Sequence, residues 1–113
     1  MKIVKDKITI DELKKMAEAM FEDLVKAVVD VKKEIMAVDA GMHIDEEQML
    51  LENGSRQQNL WGINIHPNKD SDKMIEFDSM INLRPSQGNR SRGVDKAEIR
   101  EKIEKIVNKL VVK

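Results

Sequence analysis

The chain has 113 residues, 41% of them apolar and 36% charged, with a formal net charge of −1. That suits one soluble globular domain over residues 1–113 and excludes a disordered chain. The absence of Cys excludes disulfides, thiolate zinc sites and thiol nucleophiles.

No apolar run approaches the ~18 residues that span a bilayer, and Met1-Lys2-Ile3-Val4-Lys5-Asp6-Lys7 does not have the form of a signal peptide. A cytoplasmic protein with no membrane partner is therefore expected. One Trp, two Phe and no Tyr leave an aliphatic core with eight Met as adaptable filler. The charge is uneven: residues 1–83 hold 11 Lys/Arg against 17 Asp/Glu, and residues 84–113 hold 9 against 4. Such asymmetry marks a face for an anionic partner or mutual complementation of neighbouring elements.

Met1 to Val4 reads as a short edge strand. Thr9 and Glu12 form a capping box, with Ile8 and Leu13 as its hydrophobic staple. Leu13, Met16, Ala17, Met20, Phe21 and Leu24 follow at helical spacing, which predicts a helix ending near Val25. The β-branched stretch from Lys26 to Val38 predicts two short strands joined near Lys32-Lys33. Lys-Lys is not a favoured hairpin pair, and one long bent strand is the alternative.

Ile44-Asp45-Glu46-Glu47-Gln48-Met49 repeats the first helix's start, with Asp45 as cap, Gln48 as box partner and Ile44 stapled to Met49. It predicts a short helix through about Glu52, ended by Asn53-Gly54, with a strand as the alternative. Leu60 to His66 and Met74 to Arg84 alternate with period two and are expected to pair antiparallel. Trp61, Ile63 and Ile65 share the apolar face of the first; Ile75, Phe77, Ser79, Ile81 and Leu83 share that of the second. A third capped helix follows, with Val94 and Ile99 as staple, Asp95 as cap and Glu98 as box partner. Ile99, Ile103, Ile106, Val107 and Leu110 form its buried stripe. The expected fold is α+β: an antiparallel sheet of four to five strands, two long helices packed on one face, and one short helix.

Arg84-Pro85-Ser86-Gln87-Gly88-Asn89-Arg90-Ser91-Arg92-Gly93 carries three of the five arginines and leads into the third helix. Forked cations, neutral donors, two glycines and a helix N-terminus suit a phosphate or carboxylate. Arg84, Ser86, Gln87, Asn89, Arg90, Ser91 and Arg92 are the candidate anion-binding residues. Asp95 as cap would compete for the same N–H groups, and a polar connection paired with acidic neighbours is the plainer account. The loop's glycines fit neither a Walker loop nor a dinucleotide fingerprint.

Asn64, His66, Glu76 and Asp78 fall on one polar strand face. His plus carboxylates on adjacent strands can bind a divalent metal or run acid–base chemistry, although such a face is more often merely solvated. His43 beside Asp45 and Glu46 is a further, lesser candidate. No residue is assigned a catalytic role, and no metal or cofactor is called for.

The segments Leu60-Trp61-Gly62-Ile63-Asn64-Ile65-His66-Pro67, Ile75-Glu76-Phe77-Asp78-Ser79 and Ile81-Asn82-Leu83-Arg84-Pro85-Ser86-Gln87-Gly88-Asn89-Arg90-Ser91 resemble a small prokaryotic family catalogued only as a domain of unknown function. Ala27-Val28-Val29-Asp30 and Leu50-Leu51-Glu52-Asn53-Gly54-Ser55 fit the same pattern. The resemblance runs nearly full length. It implies a small, stand-alone, soluble protein and brings no activity, substrate or cofactor with it.

The expectation is a non-enzymatic binding module whose partner is an anionic small molecule or nucleic-acid phosphate. The alternatives are an interaction domain forming a homodimer, and a small enzyme using His66, Glu76 and Asp78.

Overall fold

The computed structural model describes residues 1–113. In chain order the elements are β1 (Lys2–Val4), β2 (Ile8–Thr9), α1 (Ile10–Met20), β3 (Val25–Asp30), β4 (Ile35–Val38), α2 (His43–Glu52), β5 (Leu60–Ile65), β6 (Ile75–Glu76), α3 (Ala97–Leu110) and β7 (Val111–Val112). Five strands form one antiparallel sheet in the order β1-β4-β3-β5-β6. The fold is α+β, as the alternating segments and helix starts predict. A separate parallel pairing of Ile8 with Val111 and Thr9 with Val112 ties β2 to β7.

The sheet's alternation sorts its side chains into two layers. Ala27, Val29, Met36, Val38, Trp61, Ile63 and Ile65 join Leu13 and Ala17 of α1 and Ile103, Ile106, Val107 and Leu110 of α3 in the main core. On the opposite face Val28, Ala37 and Leu60 meet Leu50 of α2, all fully buried. The face expected to be polar and solvated is therefore covered: Asn64 and His66 are buried.

Helix starts and stops depart from expectation in instructive ways. The Thr9–Glu12 box forms as predicted, with Thr9 Oγ1 accepting from Glu12 N at 3.1 Å. However, α1 ends at Met20, not near Val25. Glu22 takes a left-handed φ of 73° and Val25 pairs with Ile65 in the sheet. A non-glycine left-handed residue leaves no sequence signal of a stop.

The β3–β4 turn lies where Lys32-Lys33 was expected, but an aspartate builds it. Asp30 Oδ1 accepts from Lys32 N at 2.9 Å and Lys33 N at 3.0 Å, and Oδ2 accepts from Ser55 Oγ at 2.6 Å. Asp45 does not cap α2. The helix starts earlier, after Met42, which makes no side-chain cap bond, and Ile44 is 55% exposed instead of stapled. Glu46 secures the entry by accepting from Ala40 N at 3.1 Å. The end at Asn53-Gly54 is as predicted, with Gly54 at φ 94°.

The long strand predicted over Met74 to Arg84 is the main correction. Only Ile75 and Glu76 pair with β5. Beyond them the chain makes 3-10 turns at Met80–Asn82 and Pro85–Gln87. Side chains take over the outer edge of β5. Asn82 Oδ1 accepts from Gly62 N at 2.8 Å, Asn82 Nδ2 donates to Gly62 O at 3.0 Å, and the Arg84 guanidinium donates to Leu60 O. One amide thus imitates a neighbouring strand's donor and acceptor.

This substitute edge needs a glycine. A Cβ at Gly62 would stand 2.5 Å from Ser79 Cβ and 2.6 Å from Ser79 Oγ. Gly62→Ala is expected to lower stability by about 2 kcal/mol through overpacking. A urea midpoint unchanged from the parent would show that Ser79 and Ile81 move aside freely.

The sheet's two edge strands are β1 and the two-residue β6. β1 has three residues, begins with exposed Lys2 and is followed by exposed Lys5 and Asp6, a short charged form that discourages strand pairing.

Candidate functional site

The arginine loop is folded inward on itself. Arg84 and Asn89 close it by a backbone bridge, with Arg84 N donating to Asn89 O at 2.8 Å and Asn89 N to Arg84 O at 3.1 Å. Gly88 turns the chain at φ 80°. Arg84 is buried. Its guanidinium donates to Ile81 O and Gln57 O, both at 2.9 Å, and to Leu60 O, and it stacks over Trp61 at 4.7 Å. Glu47, also buried, stands 3.8 Å away as its counter-charge. Burial raises the Glu47 carboxyl's pKa while Arg84 pulls it back down.

Asn89 is the knot of the loop. Its Nδ2 donates to Asn82 O at 2.7 Å, Gly93 O at 2.9 Å and Ser91 O at 3.2 Å, and its Oδ1 accepts from Asp95 N at 2.8 Å. Asp95 does not cap α3, whose N-cap is Lys96. Its carboxylate turns back to accept from Arg90 N at 2.7 Å and Ser91 Oγ at 2.5 Å. These bonds, the Ser91 hydroxyl first, hold its pKa below the usual value. The anion in the loop's cradle is thus the chain's own Asp95. Gln87 Nε2 donates to Gln58 O at 3.2 Å. The Ser86 side chain and the Arg90 guanidinium remain on the surface with no protein partner. Arg92 is exposed and meets Asp78 at 2.7 Å.

The polar strand residues come together only in part. Asn64 Nδ2 donates to Glu76 Oε1 at 2.9 Å, and His66 Nε2 lies 3.2 Å from the same oxygen. Asn64's hydrogen bond, then that of His66, lowers the Glu76 pKa. Asp78 is engaged by Arg92 instead. No group of three or more His, Asp or Glu is arranged to hold a metal ion. Asn64, His66 and Glu76 line none of the larger grooves.

A different place combines exposed apolar surface with chemistry. Lys26, Gly41, Met42, His43, Ile44, Met80, Ile81 and Arg92 line a groove of about 430 Å³ between the start of α2 and the Met80–Asn82 turn. Met80, Met42 and Ile44 are 62%, 60% and 55% exposed, the three most solvent-exposed large apolar side chains of the chain. Met42 and Ile44 flank His43, whose ring bonds Ile63 O, and Met80 opens the turn in which Asn82 bonds Gly62.

His43 forms part of the groove wall. Its Nε2 is 2.7 Å from Ile63 O. A carbonyl only accepts, so Nε2 carries the proton and Nδ1 is left as an acceptor. Burial lowers the His43 pKa, which keeps the ring neutral near pH 7. Lys26 lies over the Phe21 ring at 5.4 Å, and Arg92 brings the second positive charge. One turn into α2, Glu46 is fully buried; desolvation pushes its pKa up to about 9, so it is a neutral acid at pH 7. The groove thus offers two cations, one neutral imidazole acceptor and an apolar floor.

Of these residues, sequence reasoning named Arg92 and His43 and passed over Lys26, Met42 and Met80. The available signal was Met42-His43-Ile44, an apolar pair around a histidine that fits no helical stripe.

No helix is long and apolar enough to cross a membrane. No curated protein and no solved structure matches the chain. The family model described as "Protein of unknown function (DUF5674)" matches residues 2–110, and the chain belongs to that family.

Proposed function

We propose that the protein is a small cytoplasmic binding module of prokaryotic cells, and that it holds an anionic ligand with an apolar body in the groove at the start of α2. Arg92 and Lys26 meet the anion, Met42, Ile44 and Met80 cover the apolar part, and His43 Nδ1 accepts a hydrogen bond. The observation that carries this reading is the concentration of the chain's three most exposed large apolar side chains around one groove rimmed by two cations. An apolar concavity with a few convergent polar groups, one of them with a perturbed pKa, is the usual form of a small-molecule site. The arginine loop contributes Arg92, while its remaining donors except Ser86 and Arg90 are engaged within the protein. Asp78 neutralises part of the charge, so a ligand of single negative charge fits better than a multivalent one.

Hexanoate and benzoate are suitable probes, read by methyl NMR of the methionines. The Met42 and Met80 signals are expected to shift on titration while those of buried Met36 and Met74 stay in place. Arg92→Ala and Lys26→Ala should each weaken binding by about tenfold, the effect of one charge-assisted bond. Asp78→Asn, which releases Arg92, should strengthen it. Shifts absent at saturating probe, or unchanged in both cation variants, would overturn the reading.

A further inference from the structure

The excess positive charge of residues 84–113 has a second destination besides Arg92. The stripe Ile103, Ile106, Val107 and Leu110 sets the rotation of α3 by facing the core. Lys102, Lys105 and Lys109, spaced by three and four residues, then lie along one flank of that helix. The β3–β4 turn, held by Asp30, carries Lys32 to the same flank. Together they border a groove of about 500 Å³ whose lining includes Lys32, Lys102, Lys105 and Asn59, with Val31 and Ile106 as its apolar part.

Glu34 is the one acidic residue in this lining, and Lys109 already pairs with it at 3.6 Å. Lys32, Lys102 and Lys105 have no acidic partner within ion-pair distance. All three are exposed. Like charges gathered at one groove repel, and a multivalent anion relieves that repulsion at every contact. Lysine is a compact point charge that meets phosphate without requiring the planar geometry of a guanidinium. The volume falls within the range of small-molecule pockets. Half-buried Val31 and Asn59 give an organic body an apolar surface to rest on and one polar group to meet.

We infer that this groove binds a small organic polyphosphate, a molecule with two or more phosphates on an apolar or heterocyclic body. It shares no residue with the groove at α2 and does not depend on the reading given for that groove.

The test uses the full chain and isothermal titration with ATP, tripolyphosphate and adenosine as probes. ATP and tripolyphosphate are expected to bind at low salt and to weaken at physiological salt, while adenosine alone does not bind detectably. Lys102→Gln combined with Lys105→Gln should lower ATP affinity by more than about tenfold. Lys96→Gln, exposed but outside the groove, should leave it unchanged. Circular dichroism establishes that the double variant is folded; if it is not, the single variants Lys102→Gln and Lys105→Gln are read in its place, each with a smaller loss expected. Failure of both polyphosphates to bind at low salt overturns the inference, and so does an affinity indifferent to the lysines. A short DNA duplex bound through these lysines when ATP and tripolyphosphate are not would also overturn it, in favour of a polymer backbone.

Discussion

Arg84→Ala is expected to destabilise the protein by about 3–5 kcal/mol, the range for removing one partner of a buried ion pair. The side chain does three things that no neighbour can take over. It donates to the carbonyls of Gln57 and Leu60 at the entry to β5 and of Ile81 in the Met80–Asn82 turn, and so joins two separate segments. It is the counter-charge for buried Glu47. It also covers the Trp61 ring. Alanine leaves the Leu60 and Ile81 carbonyls without the guanidinium's hydrogen bonds and buried Glu47 without its counter-charge, and a buried polar group left unpaired carries its own desolvation cost. Arg84→Lys should recover only a minor part, because an ammonium cannot reproduce the spread of a planar fork. Urea unfolding of the three proteins measures this directly. A loss below about 1 kcal/mol for alanine would mean that water replaces the guanidinium at the end of the sheet.

Glu46→Gln should stabilise the protein, by an amount that grows with pH. The carboxyl titrates near its ordinary value of 4.5 in the unfolded chain and at about 9 when folded, because burial disfavours the charged form. The folded state therefore holds a proton that the unfolded state has released. The stability this group contributes is fully present below pH 4.5, declines as pH rises, and is lost once pH passes the folded value. One pKa unit corresponds to about 1.4 kcal/mol, so keeping Glu46 protonated at pH 7 costs about 3 kcal/mol. Glutamine has the same shape, does not titrate, and keeps an oxygen for Ala40 N. The two proteins should differ little at pH 4.5 and diverge steadily to pH 9 in urea unfolding. A difference that stays constant across that range would show that Glu46 is ionised in the folded state.

The importance of Arg84 and Glu46 is invisible in one dimension. Arg84 stands in a polar loop beside Arg90 and Arg92, and nothing in that stretch distinguishes the arginine that leaves the surface from the two that stay on it. Glu46 sits in an ordinary acidic run at a helix start. Each becomes unusual only because another segment closes over it: Gln57 to Leu60 and the Met80–Asn82 turn over Arg84, and the Ala40 turn with β3 and β4 over Glu46. The same holds for the groove at α2. Met42 and Ile44 stand out only once Met80 and Arg92, from far along the chain, complete its wall.

The alternation of β5, the β-branched run that becomes β3 and β4, the apolar stripes of α1 and α3, the Thr9–Glu12 start and the Asn53-Gly54 stop are all legible in the chain alone. These rest on contacts between residues a few positions apart, where backbone geometry dictates which side chains share a face. The folded chain alone sets where the 74–84 segment stops being a strand, because Asn82 and Arg84 satisfy the edge of β5 with side chains in place of a ladder. It alone decided that Asp95 would fill the arginine loop and not cap α3, since a carboxylate takes whichever N–H and O–H donors the folded chain gathers around it. Period and capping rules are local. The choice among several donors for one acceptor depends on segments brought together by the core.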